Sequence, residues 1–227
     1  MNIRYLGHSA FSLEHEGTTV LIDPFLTGNP KAAASADEVA ADAILLTHGH
    51  GDHYGDVVAI AKRTGAAVLA ITELAGELGG ELGEGHPVFD PNMGGTVSFD
   101  WGSVQVVPAW HTSTTPNGTV NTPAGLVIEL GGRRVYHLGD TALFSDLQLV
   151  KRRGAIDVAL MCIGGHYTMD RHDAVAAAEL GGARQIIPCH YDTFPPIETD
   201  AQAFRSDVES AGAGEVVVLA PGETHSA

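Results

Sequence analysis

Between residues 47 and 53 the chain reads Thr47-His48-Gly49-His50-Gly51-Asp52-His53, which puts four ligand-type side chains within six residues, separated only by glycine. Neutral imidazole and carboxylate together suit zinc, manganese, iron or nickel at a nitrogen–oxygen site, and ions held that way activate water for hydrolysis. The apolar run Ala43-Ile44-Leu45-Leu46 just before it reads as a buried strand, so the ligand loop would begin at a strand end. Gly49 and Gly51 would let that loop turn through dihedrals closed to other residues. The plain alternative is an exposed loop that happens to be rich in histidine. That alternative has three imidazoles and a carboxylate gather with nothing to bind.

Further candidates also follow strand-like segments. His8 follows Gly7 at the end of Ile3–Leu6, placed either to donate a proton or touch substrate, or to be a satisfied structural histidine. In Ile163-Gly164-Gly165-His166 the glycines allow close approach to a ligand. His166 is therefore the first choice for a catalytic residue that is not a ligand, able to donate a proton or stabilise an oxyanion. Asp23 is expected to buttress the His48 loop without binding metal. Asp170 reads as a helix N-cap and His137 as a core histidine; His15, His86, His172 and His225 read as surface residues. Tyr191, Asp192 and Thr193 flank His190 and have pocket roles open to them. Phe25–Ala34 is long enough for a lid, and the Thr- and Asn-rich stretch Thr112–Pro123 offers hydroxyls and amides to a polar substrate, or is an ordinary polar loop.

The elements that must position these residues alternate between two periods. Ile3–Leu6, Ala10–His15 and Thr18–Ile22 read as paired strands turned at Glu16-Gly17, followed by a short helical stretch near Asp37–Ala41. A helix is expected from about Asp52 to Arg63, a strand over Ala66–Ile71 and a weak, glycine-bearing helix over Glu73–Leu82. The second half brings strands at Thr96–Phe99, Val104–Ala109, Gly125–Leu130 and Arg133–Leu138. A helix (about Phe144–Arg153), a strand (Asp157–Cys162), a helix (Arg171–Leu180), a strand (Gln185–Pro188), a helix (about Ala201–Ala211) and a strand (Glu215–Leu219) complete it. Meandering strands with interspersed helices predict two mixed sheets face to face, with helices outside. No linker interrupts the sequence, so residues 1–227 are read as a single domain.

Composition narrows the function classes. Twelve basic against twenty-eight acidic residues give a formal charge of −16, which repels phosphate backbones and argues against a nucleic-acid partner. Lys151-Arg152-Arg153, the one basic cluster, falls where a helix should end and complements its dipole. The longest apolar runs are strand-sized, and Met1-Asn2-Ile3-Arg4-Tyr5-Leu6 lacks the features of a signal peptide, so a cytoplasmic location without membrane association is expected. Cys162 and Cys189 read as buried reduced thiols, with a disulfide or a metal role as the alternative.

The stretch His48-x-His50-x-Asp52-His53 resembles the signature of the metallo-β-lactamase superfamily, and His111, Asp140 and His190 stand where that family's later ligands fall. Leu6-Gly7-His8-Ser9-Ala10, Leu21-Ile22-Asp23-Pro24, Gly139-Asp140-Thr141 and His190-Tyr191-Asp192-Thr193-Phe194-Pro195 more narrowly resemble bacterial and archaeal metal-dependent hydrolases similar to ascorbate-6-phosphate lactonases. The resemblance implies an α/β fold, a four-layer αββα sandwich of two mixed β-sheets. It implies two divalent ions, zinc first, with manganese, nickel or iron suiting the same donors. His48, His50 and His111 would hold one ion; Asp52, His53 and His190 the other; Asp140 would bridge them. A hydroxide shared by the ions would cleave an ester-like bond, a lactone or phosphoester, of a small molecule, with Asp52, His166 and His8 taking part in the chemistry. Homo-oligomerisation fits the same resemblance. A nuclease or phosphodiesterase of this fold is the nearest rival, disfavoured by the charge and by the lack of an evident substrate-clamping insertion. Di-iron oxygen or nitric oxide chemistry would call for Glu at position 50 and a flavin domain. A metal-binding scaffold without catalysis is the last alternative.

Overall fold

In the computed structural model, which describes residues 1–227, alternating apolar side chains pair the opening segments. β1 (Asn2–Gly7), β2 (Ala10–His15) and β3 (Thr18–Ile22) form an antiparallel meander. Its second turn, Glu16-Gly17, has positive φ at both residues (46° and 87°), the twist that a two-residue hairpin requires. β4 (Ala43–Leu45), β5 (Ala67–Leu69) and β6 (Val88–Phe89) then add in parallel. Their crossovers carry α1 (Gly51–Tyr54), α2 (Val57–Thr64) and α3 (Thr72–Leu82).

The second sheet repeats this plan. β7 (Thr96–Phe99), β8 (Gly102–Pro108), β9 (Ala124–Leu130) and β10 (Arg133–His137) are antiparallel. β11 (Val158–Cys162), β12 (Gln185–Cys189) and β13 (Glu215–Val216) follow in parallel, with α4 (Arg171–Gly181) and α5 (Ala201–Ala211) in the crossovers. β14 (Thr224–Ser226) returns to pair with β1, so the sheets run β14-β1-β2-β3-β4-β5-β6 and β13-β12-β11-β10-β9-β8-β7. Each sheet thus holds four antiparallel strands followed by three parallel ones.

Burial follows the strand period. Phe11, Leu13, Ile22 and Leu45 of the first sheet meet Val104, Leu126, Ile128 and Leu160 of the second in a central core. The opposite strand faces pack outward, Ile44 and Val68 under Ile60 and Leu74, and Tyr136, Met161 and Ile186 under Ala174, Ala178 and Phe204. The result is the four-layer αββα sandwich expected from the resemblance. Asp170 caps α4 by accepting from the backbone N–H groups of His172 and Asp173, the role read from the sequence. Cys162 and Cys189 are buried free thiols, and no helix is long and apolar enough to cross a membrane.

Several expected elements differ. Residues 36–38 form a turn and 39–41 are irregular, so no helix forms there. The helix expected over Asp52–Arg63 is broken into α1 and α2 at Gly55, whose φ is 44° and whose Cβ, if present, would lie 2.5 Å from the Pro24 carbonyl oxygen. The break lets Asp56 accept from the N–H groups of Leu26 and Thr27. Residues Ser145–Arg153 form a 3₁₀-helix, with Leu147 and Val150 buried at i,i+3 spacing. β13 ends at Val216, and β6 and β14, two and three residues long, carry too short a pattern to be read from sequence.

Candidate metal centre

The carboxyl ends of strands from both sheets meet at one edge of the sandwich. His48, His50, Asp52 and His53 lie on the turn after β4 and in α1; His111 follows β8, Asp140 follows β10 and His190 follows β12. Ligand atoms of His48, His50 and His111 lie within 4.8 Å of one another, as do those of His8, Asp52, His53 and His190. Asp140 touches both groups. Its Oδ2 is 3.0 Å from His190 Nε2, 3.7 Å from His111 Nε2 and 3.9 Å from His48 Nε2, and its Oδ1 is 3.4 Å from His53 Nε2. All seven expected ligands therefore converge.

The donor atoms fit metal ions better than they fit one another. His53 Nε2, His190 Nε2 and Asp140 Oδ1 are buried without a hydrogen-bond partner despite their proximity, a costly arrangement unless something else satisfies them. His48 Nε2 and His50 Nδ1 stand 3.1 Å apart, close to the roughly 3.3 Å expected of two nitrogens about 2.05 Å from one tetrahedral ion. The opposite ring nitrogens are engaged by the protein. His53 Nδ1 donates to Asp23 Oδ2 at 2.8 Å, and His48 Nδ1 lies 3.0 Å from Thr47 Oγ1. Such partners fix ring orientation and aim Nε2 at the centre. Asp23 also accepts from the Thr47 N–H and hydroxyl at 2.8 and 2.6 Å, so it supports the ligand loop as expected.

Burial sets the protonation of the donor set. Desolvation holds the pKa values of His48, His50 and His111 below the usual imidazole range, with neighbouring imidazoles adding to it, so these rings are neutral donors. For His53 burial works the same way, but Asp140 and Asp23 on either side outweigh it and raise the pKa. For Asp52 and Asp140 burial is opposed by surrounding histidines, which keep both carboxylates ionised.

His8 belongs to the cluster. It is fully buried, with Nε2 3.1 Å from Asp52 Oδ2 and Nδ1 2.9 Å from Thr193 Oγ1. A carboxylate only accepts, so Nε2 carries the proton and Nδ1 accepts from the threonine hydroxyl. Its carbonyl accepts from His190 N–H at 2.8 Å and from the Tyr5 hydroxyl at 3.1 Å, lacing the end of β1 to the end of β12. His8, Asp23 and His190 all have left-handed backbone (φ 59°, 44° and 54°), strain of the kind that gathers at functional sites. His137 is a satisfied core histidine, bonded to the Ser9 carbonyl and the Gly139 N–H.

His166 lies apart from this cluster. It is exposed, its ring edge-on to Tyr167, and the cavity beside the ligands is lined by Tyr167 instead. Phe194 lines the same cavity; neither aromatic was singled out by sequence reasoning, although each sits within a few residues of a candidate that was. The segment after Asp23 is fastened at Asp56 and by Asn29, whose amide donates to the Phe25 carbonyl, so it does not have the loose attachment expected of a lid. In the Thr112–Pro123 stretch only Thr112 lines the cavity. Ser113 and Asn121 instead accept from the Gly49 N–H. Gly49 and Gly51 have no positive φ, which corrects the reading of their role. Gly49 is needed for close approach: a Cβ there would lie 2.6 Å from Asn121 Nδ2 and 2.7 Å from Thr115 Cγ2.

Comparison with known proteins accords with this geometry. A model of the β-lactamase superfamily domain matches residues 2–190. A UPF0173 metal-dependent hydrolase of Thermus thermophilus is 48% identical over 224 residues, covering 98% of this chain and 97% of the relative. The chain belongs to the UPF0173 metal-dependent hydrolases of the metallo-β-lactamase superfamily. Another such hydrolase, from Methanopyrus kandleri, is 46% identical over 230 residues and is covered to 99% in both chains. Among solved structures, Igni18, a metallo hydrolase of the archaeon Ignicoccus hospitalis, superposes with a TM-score of 0.89 at 37% identity, over 99% of this chain and 97% of that one. In this chain the ligand-type side chains are drawn from both sheets.

Proposed function

We propose that this metal-dependent hydrolase is binuclear and cleaves an ester-like bond, a lactone or phosphoester, of a small molecule. The observation that carries the reading is the convergence of His53 Nε2, His190 Nε2 and Asp140 Oδ1, buried and unpartnered, on one centre. His48, His50 and His111 would hold one ion, Asp52, His53 and His190 the other, and Asp140 would reach both; zinc is the first choice. Divalent ions held by these residues would supply a nucleophile from water at neutral pH and polarise the scissile bond. The chain's own residues do the rest. Asp23 and Thr47 lock the rings of His53 and His48. His8 holds Asp52 in place through its Nε2 proton, and Thr193 fixes the tautomer that allows it. His8 is thus a positioning residue, and His166, exposed and outside the cavity lining, has no place in this scheme.

Metal analysis of untagged protein purified without added metal should find about two equivalents per chain. Asp140→Ala should fall to one or none and lose hydrolysis of an ester and lactone panel. Wild-type metal content in Asp140→Ala, or an inability of the native chain to take up ions on titration, would overturn the binuclear reading.

A further inference from the structure

The cavity beside the ligands, about 500 Å³, has a second wall of different chemistry. Apart from the ligands and Gly51, its lining is Thr112, Tyr167 and Phe194: two aromatic rings and the hydroxyls of Thr112 and Tyr167, with no lysine or arginine. The two rings are carried on different supports. Tyr167 is 54% exposed on a tight turn in which its N–H donates to the Gly165 carbonyl at 2.6 Å, while Met169 N–H reaches the Thr141 carbonyl beside Asp140. Phe194 packs edge-on against His8 with ring centroids 5.6 Å apart. Tyr167, packed edge-on against His166 yet more than half exposed at the mouth of a polar site, leaves ring surface free to contact a ligand.

Charge decides what such a surface accepts. Two divalent ions held by five histidines and two aspartates would leave the centre with a net positive charge. That suits the negative charge developing at the reacting bond and repels a cationic substrate. A second anionic group farther along the substrate, such as a remote phosphate, would meet aromatic carbon and two neutral hydroxyls, and would be desolvated without a counter-ion.

We infer that this cavity selects an uncharged ester or lactone bearing an aromatic or bulky apolar group, seated on Tyr167 and Phe194, and not a phosphorylated sugar lactone. The inference rests on the hydrolase reading above, and two measurements separate them. The first compares, on metal-loaded enzyme, kcat/KM for 4-nitrophenyl phenylacetate and 4-nitrophenyl succinate, which share a leaving group and scissile bond and differ in the far end. The phenyl ester should be preferred at least tenfold. Tyr167→Ala and Phe194→Leu should each cut kcat/KM for it about tenfold, a loss of about 1.4 kcal/mol, while metal content stays at the wild-type value. Thr112→Lys should move the preference toward the succinyl ester. The second measures calorimetric binding of phenylacetohydroxamate against the hydroxamate of monosuccinate, which needs no turnover. Preference for the phenyl hydroxamate without ester cleavage would keep the pocket assignment and defeat the esterase reading. Cleavage with the anionic ester preferred would do the reverse. Neither binding nor cleavage would defeat both.

Discussion

Asp52 is held at two distances from solvent: its carboxylate faces the cavity, yet His8 grips it from the fully buried side at 3.1 Å. Removing that grip should loosen one ion selectively. His8→Ala is expected to weaken the second ion 10–100-fold and leave the His48–His50–His111 ion in place, as read by metal titration. His8→Gln, whose amide can still donate to Asp52, should recover part of the loss; equal retention of both ions in His8→Ala would remove its positioning role. The metal-free protein should also respond to acid at these residues. Burial, the largest cause, lowers the His8 pKa to about 4 from about 6.5, and His48, His50, His111 and His137 are lowered as well. Between pH 6.5 and 4 the unfolded chain therefore binds more protons at these sites than the folded one, and stability falls as pH falls. His53, with its pKa raised, pulls the other way. The urea midpoint of metal-free protein should be lower at pH 5 than at pH 7.5; an unchanged or higher midpoint at pH 5 would show that His53 outweighs the rest.

The elements around the centre work by close approach. Gly49 passes so near Thr115 and Asn121 that a methyl group has no room, whereas a Cβ on Gly51 would meet only Pro116 Cγ, at 3.8 Å. Gly49→Ala should cost about 1–3 kcal/mol and reduce metal occupancy, while Gly51→Ala should change neither; thermal melts and metal content of the pair test this directly. This glycine pair also shows the limit of reading the chain as a sequence. The ligands were legible because imidazole and carboxylate at strand ends keep their chemistry in any context, and Asp23 and Asp170 were legible because their partners lie nearby or their role is local. Gly49 was misread, since close packing against a loop more than sixty residues away leaves no mark on local pattern. Tyr167 and Phe194 were missed for a related reason: an aromatic beside a turn looks the same whether it fills a core or walls a cavity. The 3₁₀-helix over Ser145–Arg153 was read as α because Leu147 and Val150 fit either period.

At the scale of the whole molecule, the centre crosslinks the two sheets. His8, His48, His50, Asp52 and His53 come from the first, His111, Asp140 and His190 from the second. An ion at about 100 times its dissociation constant stabilises the folded state by about 2.7 kcal/mol, so chelation of both should lower Tm by about 10–20 °C in a domain of this size. A melt unmoved by chelator, in protein shown to have held metal, would mean that the ions do not tie the sheets together.

The place of β14 has a consequence for connectivity. It is the only strand that sits with the half it does not follow in sequence, and it brings Ser226 opposite Asn2. If the ends were joined there and the chain opened between β6 and β7, β7–β13 would form one sheet as one unbroken run and β14 with β1–β6 the other. In that permuted order the molecule is a tandem pair of half-proteins. His8 after β1 then corresponds to His111 after β8, and Asp23 after β3 to Asp140 after β10. Asp140 reaches into the histidine cluster while Asp23 supports His53 from behind, so neither half holds a complete centre. The binding site is a property of the pairing, as it would be in a dimer.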